Sequence, residues 1–76
     1  MNELLPADTE ADSTVSVDGF TYTVRVVSVG GGYRAHLSWQ HRADEQTTPQ
    51  FSNPRAAMIE GHSLAEECIV RWRSTA

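Results

Sequence analysis

Apolar and polar residues alternate along two stretches of the chain, and this alternation predicts two β-strands. The first stretch runs from Phe20 to Val29, is rich in β-branched and aromatic residues, and has one mainly apolar face. The second, residues 33–40, carries Tyr33, Ala35, Leu37 and Trp39 on one face. Three consecutive glycines, residues 30–32, separate the two stretches. The pattern predicts an antiparallel hairpin closed by a glycine loop.

Two further segments are candidates for additional strands. Val15 to Val17 leads into Asp18-Gly19, a dipeptide that favours a two-residue hairpin turn. Either residues 14–17 form a short extra strand here, or Gly19 is a bulge in one longer strand. After a polar turn at residues 41–46, Thr47 to Phe51 is predicted as the last strand. Pro49 lacks a backbone donor, which would place this strand at an edge of the sheet.

Towards the C-terminus, apolar or small residues recur at helical spacing on a narrow stripe. The stripe consists of Phe51, Ala57, Gly61, Ala65, Ile69 and Trp72. In one interpretation Asn53 caps a long helix that begins at Pro54 and runs to about Arg73. In the other, Ser63 to Glu66 is a capping box and the helix begins there.

Gly61 decides between these two interpretations. A glycine inside a helix costs about 1 kcal/mol relative to alanine, which favours the shorter helix. The unbroken stripe favours the longer helix, because glycine and alanine would let the helix approach a sheet closely, and this interpretation is preferred. The predicted sheet face for that contact carries Phe20, Tyr22, Tyr33 and Trp39.

Together these elements predict an α+β fold. An antiparallel sheet of three strands, or four if residues 14–17 pair, is followed by one long C-terminal helix packed on one face. Residues 14–76 are predicted as a single β-β-β-α domain. Residues 1–13 hold four acids and no base, and lack periodicity, so they are predicted as a disordered acidic tail.

Charge and targeting signals narrow the classes of function. The net charge is −4, and it arises in the predicted tail, since six acids and six arginines balance in the remainder. The chain has no lysine and its arginines are scattered, so it lacks an obvious basic patch for nucleic acid. The absence of a signal peptide and of an apolar run of about 20 residues predicts a cytoplasmic protein without a membrane contact.

No group of residues forms a convincing catalytic, cofactor or metal motif. Gly61-His62-Ser63 is similar to the start of a nucleophile elbow, but no histidine follows Ser63 as the general base. The three histidines and Cys68 lack the close pairs typical of structural zinc. Strand-like residues, not a helix, follow the glycine run that could otherwise hold phosphate. We therefore expect no enzyme activity, no cofactor and no metal site.

Two surfaces are candidates for binding. The sheet face away from the helix would be polar and would present Arg25, Arg34, His36 and Gln40. It is suited to an anion or an RNA strand, although a solvated face has the same composition. On the helix, Ile59 and Val70 lie off the main stripe and could contact a partner.

The chain resembles a group of small uncharacterised bacterial β-β-β-α proteins. The resemblance is carried by Asp18-Gly19-Phe20, by residues 32–35, by Phe51 and by the helix stripe. It implies a fold and no chemistry. A weaker likeness, through residues 31–35 and 61–67, is to HicB-type antitoxin domains, and it implies an antitoxin role.

From these observations we expect a small non-catalytic interaction module that binds another protein or a second copy of itself. RNA binding through the polar sheet face is the alternative, together with a HicB-like antitoxin function.

Overall fold

The computed structural model describes residues 9–74, with side chains from Asp12 onward. The elements are, in chain order, β1 (Thr9–Val17), β2 (Phe20–Val29), β3 (Gly32–Trp39), β4 (Glu45–Thr47) and α1 (Pro54–Ser74). The strands form one antiparallel sheet in the order β1-β2-β3-β4, and α1 packs on β2 and β3. The predicted α+β class is confirmed, with four strands in the sheet.

Both long hairpins turn through two residues with positive φ. Asp18 and Gly19 have φ of 52° and 85°, and Gly30 and Gly31 have φ of 48° and 87°. Two successive positive φ angles match the right-handed twist of the flanking strands, which is why Asp-Gly and Gly-Gly are favoured there. The first turn confirms a separate strand before Phe20 and rules out a bulge at Gly19.

Strand β1 begins earlier than predicted. The predicted disordered tail, residues 1–13, is wrong for residues 9–13, which pair with β2; residues 1–8 lie outside the described residues. Polar contacts across the strands hold this segment in place. The Asp12 carboxylate accepts a hydrogen bond from Arg25 Nε at 3.3 Å, and the Thr14 and Thr23 hydroxyl oxygens are 3.0 Å apart.

The last predicted strand is displaced and interrupted. Strand β4 lies at Glu45–Thr47, partly inside the segment predicted as a turn, and only Phe51 of the later residues bridges to Tyr33. Between them Thr48 is buried: its Oγ1 accepts a hydrogen bond from the Ala35 N–H at 3.0 Å and donates to the Pro49 carbonyl at 2.8 Å. The Thr48 hydroxyl thus takes the place of a backbone carbonyl as the acceptor for the Ala35 N–H, while the Thr48 N–H donates to the Ala35 carbonyl at 3.0 Å.

The longer of the two helix interpretations is confirmed. Asn53 Oδ1 accepts a hydrogen bond from the Ala56 N–H at 2.8 Å, and Pro54 is the first helical residue. This satisfies one of the N–H groups that the first turn leaves without an intrahelical partner. At the other end Arg71 and Arg73 lie in the last turn, where positive charges interact favourably with the helix dipole.

Small residues of α1 press directly onto the sheet. The buried residues of the helix are Ala57, Gly61, Ala65, Cys68 and Ile69. A Cβ atom placed on Gly61 would lie 2.5 Å from Val24 Cγ1 and 3.2 Å from Ala35 Cβ. The predicted close approach is therefore confirmed, but it is made over Val24 and Ala35.

The aromatic residues pack at the C-terminal end of the helix. The Trp72 ring lies 4.6 Å from Trp39 and 5.6 Å from Phe20, measured between centroids. The Arg42 guanidinium lies over the Trp72 ring, 3.8 Å from its centre. Bulky rings fill the space here because no small residue brings the helix down onto the sheet.

Candidate functional site

The open face of the sheet, on the side away from α1, is polar. It is formed by alternate residues of the four strands, chiefly Asp12, Thr14, Ser16, Thr21, Thr23, Arg25, Val27, Arg34, His36, Ser38, Gln40, Glu45 and Thr47. Hydroxyl groups pair across the strands, since Ser16 and Thr21 are 2.8 Å apart in the same way as Thr14 and Thr23. The face is covered with hydrogen-bonding groups.

The candidate residues predicted on this face lie together as expected. Arg25 is opposite His36 in the β2–β3 ladder, and Arg34 is opposite Val27. Gln40 follows β3, is exposed, and donates its backbone N–H to the Thr21 carbonyl at 2.9 Å. The Nε atom of Arg34 is buried and has no hydrogen-bond partner among the described residues.

Carboxylates lie beside the cations of the open face. The exposed Arg25 forms an ion pair with Asp12, which lies on the neighbouring β1. A shallow cavity of about 300 Å³ has both Arg25 and His36 in its lining, but Glu45 lines it as well. The charges on this face are close to balanced, so its attraction for a polyanion is weak.

Ile59 and Val70 lie on the outer side of α1. They are the exposed large hydrophobic residues of the described chain, at 60% and 54% exposure. They are eleven positions apart along the helix, which is about three turns, so they share one side at a distance of about 16 Å. Around Val70 the surface is charged, with Glu66, Glu67 and Arg71 lining a shallow depression.

A part-buried polar pair links the helix to the sheet. The Tyr22 hydroxyl oxygen and His62 Nδ1 are 2.9 Å apart and share a hydrogen bond. Burial raises the pKa of Tyr22, and the nearby Glu66 carboxylate raises it further. Tyr22 therefore stays neutral at physiological pH and serves as a hydrogen-bonding core residue.

Other candidate chemistry is dispersed in the described part of the chain. Within residues 9–74 no three side chains of His, Cys, Asp or Glu come together in a way that could hold a metal ion. Cys68 is buried, and its thiol donates to Gln46 Oε1 at 3.2 Å. Across the same residues, no helix has the length and apolar character needed to cross a membrane.

The outer edge of β1 is a surface that the sequence analysis did not identify. Val17 and Phe20 flank a two-residue turn, and such flanking residues exchange two backbone hydrogen bonds. Hydrogen-bonded and non-bonded pairs then alternate along the ladder, so Ser13 and Val15 also bond to β2. The backbone N–H and C=O groups of Asp12, Thr14 and Ser16 consequently point away from the sheet.

The geometry of β2 agrees with this assignment. Along β2 the backbone groups of successive residues point alternately towards β1 and towards β3. The Thr21 carbonyl accepts a hydrogen bond from the Gln40 N–H on the β3 side, so the odd-numbered residues of β2 bond to β3. Even-numbered residues of β2 therefore bond to odd-numbered residues of β1. Among the described residues no strand lies beyond β1, so three outward N–H groups and three outward carbonyls have no backbone partner there.

The opposite edge of the sheet is much shorter. Strand β4 has three residues and is followed by the buried Thr48 and then by Pro49. Short edge strands and prolines are the usual means of preventing a further strand from pairing. In β1, residues 12–17 contain no proline, and a register shift between Thr9 and Ala11 marks the far end of its regular ladder.

Comparisons with known proteins identify no relative of this chain. No family model matches the chain, and no curated protein and no solved structure is significantly similar to it. The resemblance to small β-β-β-α proteins and to HicB-type domains stays a prediction.

A signal for β1 was present in the sequence. Ser13, Val15 and Val17 alternate with Asp12, Thr14 and Ser16, and the alternation leads directly into the Asp18-Gly19 turn. The acidic residues upstream obscured it, because they suggested disorder.

Proposed function

We propose that this protein is a non-catalytic interaction module that binds protein by strand addition at the outer edge of β1. The observation that carries the proposal is the regular row of outward backbone groups at Asp12, Thr14 and Ser16. An extended segment placed there would form main-chain hydrogen bonds with the sheet.

The flanks of this edge are suited to such a segment. On the helix side Val15 and Val17 are half-buried, so an added strand would cover apolar surface there. On the open face Asp12, Thr14 and Ser16 are exposed and polar. A segment with apolar and polar residues in alternation would match both sides.

RNA binding across the open face is less well supported. Arg25 already pairs with Asp12, and Glu45 lies in the same cavity as His36. A backbone-tracking site needs uncompensated cations and gains from aromatic stacking platforms. The aromatic rings of this protein pack between the sheet and the helix.

The substitution Thr14→Pro tests the proposed surface. It removes the central outward N–H and the exposed hydroxyl pair with Thr23, but no backbone hydrogen bond to β2, so the fold should be retained. The matched control is Thr47→Pro in β4, whose N–H also points away from its neighbouring strand. Circular dichroism should give the same spectrum for both variants and for the wild type.

Association is then compared by molar mass from light scattering. We expect complexes formed by the wild type and by Thr47→Pro to be lost in Thr14→Pro. Complexes that survive in a folded Thr14→Pro variant would exclude the β1 edge as the binding surface. A wild-type protein that forms no complex of any kind would contradict the proposed function itself.

A further inference from the structure

We infer that the strand added at β1 is β1 of a second copy of this chain, paired antiparallel about a two-fold axis at Thr14. This inference rests on the proposed function and names its partner. The resulting dimer would have one continuous eight-stranded sheet, with both helices on the same face.

The symmetry of the edge supports a second copy. The regular part of β1 extends from Ala11, where the register shift ends, to Val17, where the turn begins. Its centre is Thr14, and the outward backbone groups at Asp12 and Ser16 are equally distant from it. Pairing two such strands about Thr14 brings every outward group opposite another outward group, which is the requirement for a hydrogen-bonded ladder.

Side-chain pairing in this register is compatible with both faces. On the open face Thr14 would lie opposite Thr14 of the second copy, and Asp12 opposite Ser16. On the helix side Ser13 would lie opposite Val15. Threonine pairs are favourable across antiparallel strands, and this register brings no like charges of residues 11–17 directly opposite one another, an arrangement that would be unfavourable.

Charge also selects among the registers that keep outward groups opposite one another. Centring the pair on Ser13 would keep Asp12 away from its copy but would extend the ladder into the irregular residues 9–11. Centring it on Asp12 would place two carboxylates face to face. The register about Thr14 avoids the repulsion and uses the regular segment in full.

The helices do not obstruct this arrangement. Helix α1 lies over β2 and β3, so in the dimer two strands of each copy would separate the two helices. With strands about 4.8 Å apart, the helix axes would be about 19 Å apart, which is wider than the 8–10 Å of packed helices. The pairing is therefore free of steric conflict between the copies.

Complementary charges at Thr14 test both the partner and the register. Thr14→Asp and Thr14→Lys each place two like charges opposite one another across the two-fold axis, at a Cα separation of about 5.5 Å. At low ionic strength we expect each variant alone to dissociate about tenfold more readily than the wild type. An equimolar mixture should recover the dimer, because opposite charges then face each other.

The measurement is sedimentation equilibrium, with dimer defined as twice the 8.4 kDa chain mass. Ser38→Lys is the matched control, since it adds a charge to an exposed residue of the same face two strands from the edge, and should leave the dimer unchanged. Amide exchange checks folding: Ser13 and Val15 should stay protected in every variant.

Three results would overturn the inference. The first is a folded wild type that is monomeric up to millimolar concentration; if Thr14→Pro then still abolishes binding to another protein, the proposed function stands and the partner is that protein. The second is a dimer that persists in both single variants. The third is a mixture that stays monomeric, which would exclude the register about Thr14.

Discussion

The two faces of the sheet differ in what fills the space above them. On the covered face, Val24, Ala35 and Leu37 are at most 1% exposed beneath the small residues of α1. On the open face, neighbouring residues of the same strands, such as Arg25 and Ser38, are exposed. Because side chains alternate between the faces, consecutive residues of one strand serve different purposes. The covered face maintains the fold, and the open face and its outer edge are available for contacts.

The largest expected difference between the faces is between Leu37 and its neighbour Ser38. Leu37→Ala should lower the free energy of unfolding by about 2–5 kcal/mol, because it removes buried methyl groups and leaves a cavity. Ser38→Ala, on the open face, should change it by no more than about 0.5 kcal/mol. Urea denaturation measures the free energy of unfolding of both variants. Equal losses of stability would contradict the expected difference between the two faces.

The close contact at Gly61 should be the next most sensitive point. Gly61→Ala gains about 1 kcal/mol of helix propensity, but its methyl group would overlap Val24 Cγ1. Val24 is fully buried and stiff at χ1, so we expect overpacking of about 1–3 kcal/mol to prevail. Denaturation should therefore show a less stable protein.

A double-mutant cycle identifies the cause of that loss. If the methyl group of Gly61→Ala conflicts with Val24, the double variant with Val24→Ala should be more stable than the two single effects predict, by at least about 0.5 kcal/mol. Additive effects would mean that the Gly61–Val24 contact is not the source.

The Tyr22–His62 hydrogen bond gives a smaller effect with a distinct pH dependence. Tyr22→Phe should cost about 0.5–1.5 kcal/mol at neutral pH. The folded-state pKa of Tyr22 is raised above the unfolded value of about 10, so its contribution is complete below pH 10 and is lost as pH rises through the folded pKa. The variant should lack this alkaline loss of stability.

Urea titrations between pH 8 and about 11 compare the variant with the wild type. Tyr33→Phe is the control, since it leaves the Tyr22–His62 pair intact and should retain the alkaline loss. An unchanged pH dependence in Tyr22→Phe would assign the loss to another group.

The smallest effect is expected for the ion pair on the open face. Asp12→Asn removes the charge that faces Arg25, and both side chains are at least half exposed, at 50% and 56%. Exposed pairs of this kind contribute about 0–1 kcal/mol, less at high salt. Thermal unfolding at low and high salt should show a difference that disappears with salt, and a loss above about 1 kcal/mol would imply that β1 depends on this pair.

The sequence predicted the elements in which a periodic pattern coincides with a stop signal. The range 20–29 was correct for β2 because Asp18-Gly19 and the glycine run bound it on both sides. The start of α1 was correct because Asn53 and Pro54 have distinct roles at a helix N-terminus. For these elements, local chemistry is sufficient to set the boundaries.

Other features depend on contacts distant in sequence. Residues 9–13 pair with β2 through the backbone ladder, and because their sequence is mostly polar, no apolar alternation marked them as a strand. Thr48 is buried because it bonds to Ala35, which local pattern does not reveal. Of the candidate site, Arg25, Arg34 and His36 were placed correctly on one face, but the nearby carboxylates and the β1 edge depend on strand pairing.

Cys68 can report local separation of the helix from the sheet. This residue of α1 is 2% exposed, its thiol donates a hydrogen bond to Gln46 of β4, and it is the sole cysteine of the chain. An alkylating reagent added to the native protein can therefore modify one atom, and only when the helix separates from the sheet at that point. The rate of modification gives the opening rate where alkylation is faster than reclosing, and the opening equilibrium where it is slower.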